Sequence, residues 1–200
     1  MTTFHPAALL ALLLATPALA ADATPDRVEK QRSYFTNTVL LDQDGKEVRF
    51  FDDVLKDQVV VLHFIFTRCP SACPLQTQKL VAAKAELGGA LPPGARFVSI
   101  SIDPGFDGPA QLRAFAEKQG AKAAGWTFLT GKKDHVDQVV KKLGQYVEAV
   151  EDHSTLFIAG NARTNHWLRL RPDATSSVIA DQVRRLLAEE VPPAAIAKKG

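Results

Sequence analysis

Apolar and polar positions recur along this chain with two periods, and the switches between them lay out the elements. Val39-Leu40-Leu41 and Val48-Arg49-Phe50 flank Asp42-Gln43-Asp44-Gly45, so Asn37 to Phe50 reads as a hairpin turned at Asp-Gly. Gln58 to Phe66 (QVVVLHFIF) is continuously apolar, the mark of a strand covered on both faces. Thr67 to Pro74 breaks it, and a helix is predicted from about Pro74 to Leu87. The sequence then predicts a strand over Ala95–Ile102, a helix over Pro109–Gln119 and a short strand over Trp126–Leu129. Val136, Val139, Val140 and Leu143 form an i, i+3, i+4, i+7 helical stripe. Leu156–Ala159 and His166–Leu170 read as an antiparallel hairpin with Gly160-Asn161 in the connection, and Ile179, Val183, Leu186 and Leu187 mark a last helix. Strands alternating with helices predict an α/β fold: a mostly parallel central sheet with an antiparallel edge hairpin and helices on both faces.

Composition narrows the class. The chain has 200 residues, 46% of them hydrophobic, with 12 Gly, 12 Pro and 2 Cys, which excludes collagen-like, disordered and disulfide-scaffold proteins. A net charge of +2 gives no argument for nucleic acid or an anionic membrane as a partner, and no nucleic acid is expected. Residues 6–21 (PAALLALLLATPALAA) form an apolar stretch ending in Ala18-Leu19-Ala20, which predicts a secretory signal over residues 1–20, cleaved after Ala20. Its n-region has no Lys or Arg, and the stretch is short for a bilayer span of about 20 residues. The expected location is periplasmic or otherwise exported, with a membrane tether if cleavage does not occur. Residues 21–36 then read as a lead-in, 37–191 as one domain and 192–200 as a frayed tail.

Two cysteines in an exported protein first suggest a structural bridge. A loop of about five residues closed by Cys69 and Cys73 would contribute only about 2 kcal/mol before strain. On a helix-like turn, C-x-x-x-C sets the two Cβ atoms about 5–6 Å apart, near enough to share a metal or, after adjustment, to form a disulfide. Both precede or open a helix beside Arg68, where the helix N-terminus and the guanidinium are expected to favour thiolate. Among the histidines, His5 belongs to the signal, His63 reads as a core residue and His135 as a surface residue. His166 reads as edge-strand filling with a lesser claim as a secondary ligand. His153, in Glu151-Asp152-His153-Ser154, lies at a strand end that can face the cysteine turn, with Asp152 available to orient it.

Phe66-Thr67-Arg68-Cys69-Pro70-Ser71-Ala72-Cys73-Pro74 resembles the F-T-x-C-P-x-x-C-P signature of the SCO/SenC family of copper-binding, thioredoxin-like proteins associated with cytochrome oxidase assembly. Ser101-Ile102-Asp103-Pro104 with Asp107 and Pro109, Trp126 to Gly131, and Asp152-His153-Ser154 resemble further family segments, in order. The resemblance spans Asn37 to Glu190 and implies a thioredoxin-like fold with an N-terminal hairpin extension. It also implies that Cys69, Cys73 and His153 are copper ligands. The chain departs from the pattern at Ile65 (usually Gly), at Gly108 (usually Thr), and at Ala159–His166, which replaces an L-x-D-P-x-G turn. Many relatives are tethered to a membrane, whereas a cleaved signal would release this chain.

Two thiolates and one imidazole are a soft, low-coordination set suited to Cu(I), with Cu(II) left open, whereas a structural zinc site closes with four ligands. The expected function is an exported metallochaperone delivering copper to an acceptor such as a cytochrome c oxidase subunit, supplied by a copper donor chaperone. The alternative is a thiol–disulfide oxidoreductase in which Cys69 and Cys73 form the redox pair and a thiol reductant is the partner. A copper sensor or buffer shares the donor set. A peroxidase is disfavoured because Thr67 lies two residues before Cys69 rather than three.

Overall fold

The computed structural model describes residues 25–191, so the expected signal (residues 1–20) and tail (192–200) lie outside the described residues. Helix α1 (Pro25–Phe35) precedes the hairpin β1 (Val39–Asp42) and β2 (Glu47–Arg49). A π-helical turn over Phe50–Leu55 leads to β3 (Val59–Ile65), then α2 (Ala72–Glu86), β4 (Ala95–Ser101) and α3 (Pro109–Lys118). β5 (Trp126–Thr130), α4 (Lys133–Lys142), the hairpin β6 (Phe157–Asn161) and β7 (His166–Leu170), and α5 (Ser176–Leu187) complete the chain. No helix among the described residues is long and apolar enough to cross a membrane.

The strands form one seven-stranded sheet in the order β2-β1-β5-β4-β3-β6-β7. Its centre is parallel, β5 to β4 and β4 to β3. An antiparallel hairpin closes each edge: β1 pairs with β5, and β6 with β3. The sheet is therefore mixed: the parallel centre and the antiparallel β6–β7 edge are as the sequence predicts, and the β1–β2 hairpin adds a second antiparallel edge. The reason is that both hairpins join as units, each bringing two antiparallel strands without a crossover helix.

Every residue of β3 is buried, and alternate residues feed two cores. Val59, Val61 and Ile65 pack with Leu80 and Ala83 of α2, Leu112 of α3, and Ile179 and Val183 of α5. Val60, Leu62 and Phe64 pack on the other face with Val136, Val139 and Val140 of α4, Phe35 of α1 and the π-turn phenylalanines Phe50 and Phe51. Helices thus cover both faces, as the alternation predicts.

Three boundaries differ from the sequence reading. Residues 25–35, read as part of a lead-in, are helical, and Gln31 and Phe35 are buried against the second core. Gly160 and Asn161, read as the hairpin connection, extend β6; Gly160 pairs with Trp167 and Asn161 with His166. The turn is Ala162–Asn165, with Asn165 in the left-handed region at φ 58°. Finally, α2 begins at Ala72, not Pro74, which places Cys73 inside its first turn. Pro74 is tolerated there because first-turn N–H groups have no helical acceptor.

Candidate metal centre

The parallel strand β3 ends at Ile65, and the chain turns through Thr67 to Cys69 before entering α2. The turn is fixed from below by Asp107, a buried carboxylate that accepts from the Thr67 backbone N–H at 2.9 Å, from the Thr67 hydroxyl, and from Ser101 Oγ at 2.7 Å. A buried anion needs such donors, and in meeting that need it sets the approach to the first cysteine.

The first turn of α2 leaves backbone N–H groups without helical acceptors, and Cys69 Sγ takes one of them, from Cys73, at 3.3 Å. Burial pushes the Cys69 thiol up, but the N–H groups of Cys73, Ser71 and Ala72 together outweigh it and hold the thiol below its ordinary value. Cys73 lies deeper, at 1% exposure, and burial pushes its thiol up to about 12. The sequence reading assigns thiolate stabilisation partly to Arg68, which the structure corrects. Arg68 pairs with Asp103 at 2.8 Å and lies over the Phe106 ring, so its charge is engaged on the surface.

His153 follows a short 3₁₀ turn, Val150–Asp152. Its Nδ1 lies 2.7 Å from the Val150 carbonyl, which can only accept, so Nδ1 carries the proton and Nε2 is left with its lone pair. That Nε2 is 3.6 Å from Cys73 Sγ. Burial lowers the tendency of the ring to charge, and the Phe66 ring meets it edge-on with centroids 5.4 Å apart. Val150, not Asp152, orients the imidazole.

Cys69, Cys73 and His153 therefore lie at one corner of the sheet, near the carboxyl end of β3. No three His, Cys, Asp or Glu side chains among the described residues are already gathered as a metal cluster. Cys73 and His153 are in contact, and Cys69 joins them through the Cys73 backbone. The arrangement is a dithiol with an aimed imidazole beside it, both thiols free.

The other histidines lie elsewhere. His63 is buried in β3, with Nε2 2.6 Å from Ser99 Oγ and Nδ1 without a partner among the described residues. His135, read as solvated, is half-buried and holds the Val39 carbonyl at 2.8 Å, tying α4 to β1. His166 pairs with Glu189 at 2.5 Å, in β7, so its lesser claim as a ligand finds no support. The bracing role of Asp107 and the aiming role of the Val150 carbonyl escape the sequence reading. Asp107 carries a signal, its place in the S-I-D-P-x-x-D segment; a backbone carbonyl carries none.

A family model described as SCO1/SenC matches residues 26–188. A SCO1 protein homolog from Bacillus subtilis is 38% identical over 89 residues, covering 44% of this chain and 45% of that protein. A SCO2 homolog from cattle is 31% identical over 163 residues, 74% of this chain and 58% of that protein, so the chain spans about half the length of such relatives. Among solved structures, BsSco, described by a disulfide switch and as a member of the Sco family of cytochrome c oxidase assembly proteins, is 26% identical. It has a TM-score of 0.62, and the match covers 74% of this chain and 90% of that one. Yeast Sco1 with copper bound shares the fold at a TM-score of 0.63 and 24% identity, over 78% of this chain and 92% of its own. With a thioredoxin-like Sco fold and a family match over most of its length, this chain belongs to the SCO1/SenC family.

Proposed function

We propose that this chain is an exported copper carrier. In this reading Cys69, Cys73 and His153 take up one copper ion, chiefly Cu(I), and pass it by ligand exchange to an acceptor protein, a subunit of cytochrome c oxidase. The reading rests on the 3.6 Å approach of His153 Nε2 to Cys73 Sγ, with the ring already locked in the tautomer that leaves Nε2 free. Two sulfurs and one imidazole favour Cu(I) by their softness. Binding displaces the thiol protons, and the high pKa of Cys73 makes that release the step that resists loading at low pH. The likeness to BsSco, described by cytochrome c oxidase assembly and a disulfide switch, supports both the destination and a second state of the cysteine pair.

Titration of the reduced protein with copper and zinc in competition, wild type beside His153→Ala, tests this reading. The expected result is one copper per chain, preferred over zinc, with affinity lower by about tenfold or more in the variant. Unchanged affinity in His153→Ala removes the histidine from the ligand set.

The low-lying Cys69 thiol beside Cys73 supports a second reading, a thiol–disulfide oxidoreductase that prepares the acceptor. The Cys69 thiolate attacks a sulfur of the acceptor's disulfide, and Cys73 then displaces the mixed disulfide. Two electrons and two protons pass to the acceptor, which leaves as a dithiol while Cys69 and Cys73 are joined. A separate thiol reductant restores the pair. Reduction of an acceptor disulfide at an undiminished rate by His153→Ala, with no copper dependence, favours this reading over the first.

A further inference from the structure

The face of the sheet opposite the cysteines carries a second site. Between α1, α4 and the β6–β7 hairpin lies a cavity of about 930 Å³, at the upper end of the size range of small-molecule pockets. Its apolar wall is Phe35, Leu143 and Ile158, with the indole of Trp167 beside them. The Phe35 and Trp167 rings meet with centroids 4.5 Å apart, tilted by 48°, and the Trp167 ring packs against Gly160, where even a methyl group would collide at 2.1 Å. That close seat holds the indole in place as one side of the cavity.

Three polar atoms of the cavity lining are buried without a hydrogen-bond partner among the described residues: Arg27 Nε, Gln31 Oε1 and Trp167 Nε1. Gln31 is only 4% exposed, and its Nε2 donates to the Ala162 carbonyl at 3.0 Å, which fixes the amide and leaves Oε1 without a donor. Buried polar atoms are ordinarily paired, so three in one cavity mark where a ligand's own groups would complete the set. Two are donors and one is an acceptor. The rim adds Lys30, Lys142 and Arg169, and the lining's one carboxylate, Asp26, is already paired with Lys30 at 2.7 Å. Arg27, Lys142 and Arg169 have no carboxylate partner among the described residues.

We propose that this cavity binds an amphipathic organic carboxylate. An acyl or aromatic body lies along Phe35, Leu143 and Ile158, and the carboxylate accepts from Arg27 Nε and Trp167 Nε1 under the cationic rim. An O–H or N–H next to the carboxylate donates to Gln31 Oε1. Copper chemistry on the other face of the sheet plays no part in this binding.

Isothermal calorimetry on the purified full chain, with N-dodecanoylglycine below its micellar concentration, tests the proposal. This probe has the acyl body, the carboxylate and the neighbouring N–H. The expected result is one site per chain, with the methyl ester binding at least tenfold more weakly and dodecanoate, which lacks the N–H, at least threefold more weakly. Lys142→Glu combined with Arg169→Glu, both exposed positions, is expected to weaken binding tenfold or more while the thermal midpoint and copper stoichiometry stay at wild-type values. No binding, equal binding of acid and ester, or indifference to the double charge reversal overturns the proposal. A dimer that the probe dissociates also overturns it, by naming a second copy as the occupant.

Discussion

Cys69 and Cys73 are four residues apart, yet the helix end treats them oppositely. The first sulfur receives backbone N–H groups, whereas the second is driven toward its neutral form by burial and by the first. Because the thiolate is the reactive species, iodoacetamide near pH 8 is expected to alkylate Cys69 about tenfold or more faster than Cys73. Peptide mass spectrometry at short reaction times reads the ratio, and equal labelling would contradict the assigned electrostatics. Asp107 makes a second residue-scale case. Replacing it with Asn removes one acceptor oxygen and brings an NH₂ against a ring of donors, at a cost of about 1–3 kcal/mol. Thermal unfolding checks this, with Thr67→Val losing less because only the hydroxyl bond goes. At this scale the sequence showed the cysteines plainly. His153 is another matter: 80 residues separate it from Cys73, and no spacing rule connects them. Its place at a strand end made it a candidate, the likeness of the D-H-S segment singled it out, and the carbonyl that aims it is invisible to any residue pattern.

Elements with a clear period were legible, and those without one were not. The all-buried β3 and the stripe of α4 appear close to where their apolar positions predict. Helix α1 (PDRVEKQRSYF) has no such stripe, because it docks through one glutamine and one phenylalanine at its end. The π-helical turn FFDDVL matches neither the helical nor the strand period. In β6, Gly160 reads as a turn residue because glycine usually marks one, but here it makes room for the indole across the ladder, the pairing by which an aromatic covers a strand glycine. Gly160→Ala is therefore expected to destabilise the fold by about 1–3 kcal/mol through overpacking, seen as a lower urea midpoint with unchanged m. Phe35→Ala is expected to cost about 3 kcal/mol and to leave copper stoichiometry intact, since α1 lies across the sheet from the cysteines. A loss of metal binding in that variant would show the two faces to be coupled.

For the molecule as a whole, buried His63 imposes a dependence on acid. It stays neutral in the fold, with burial lowering its pKa to about 3, whereas an unfolded histidine takes a proton near 6.5. Between those values the unfolded chain binds more protons, so stability falls as pH drops from 6.5 toward 3, by up to about 1.4 kcal/mol per pH unit. His153, also lowered by burial, acts with the same sign. Urea midpoints at pH 7, 6 and 5, above the carboxylate range, are expected to decline in the wild type and to decline less in His63→Phe. Parallel declines would mean that His63 is reached by solvent. The overall α/β plan was readable from alternation, but the second antiparallel edge was not, because pairing partners are chosen by packing across the whole sheet.

The 3₁₀ turn that aims His153 is also the segment that carries it, since Val150 and the imidazole move together. In the proposed copper site, lifting that turn would withdraw one of the three proposed donors with its tautomer intact and leave both sulfurs on the helix end undisturbed. An acceptor bringing a single donor of its own would then need only to press this loop aside. Return of the loop would restore the empty site with no slow rearrangement of the sheet beneath.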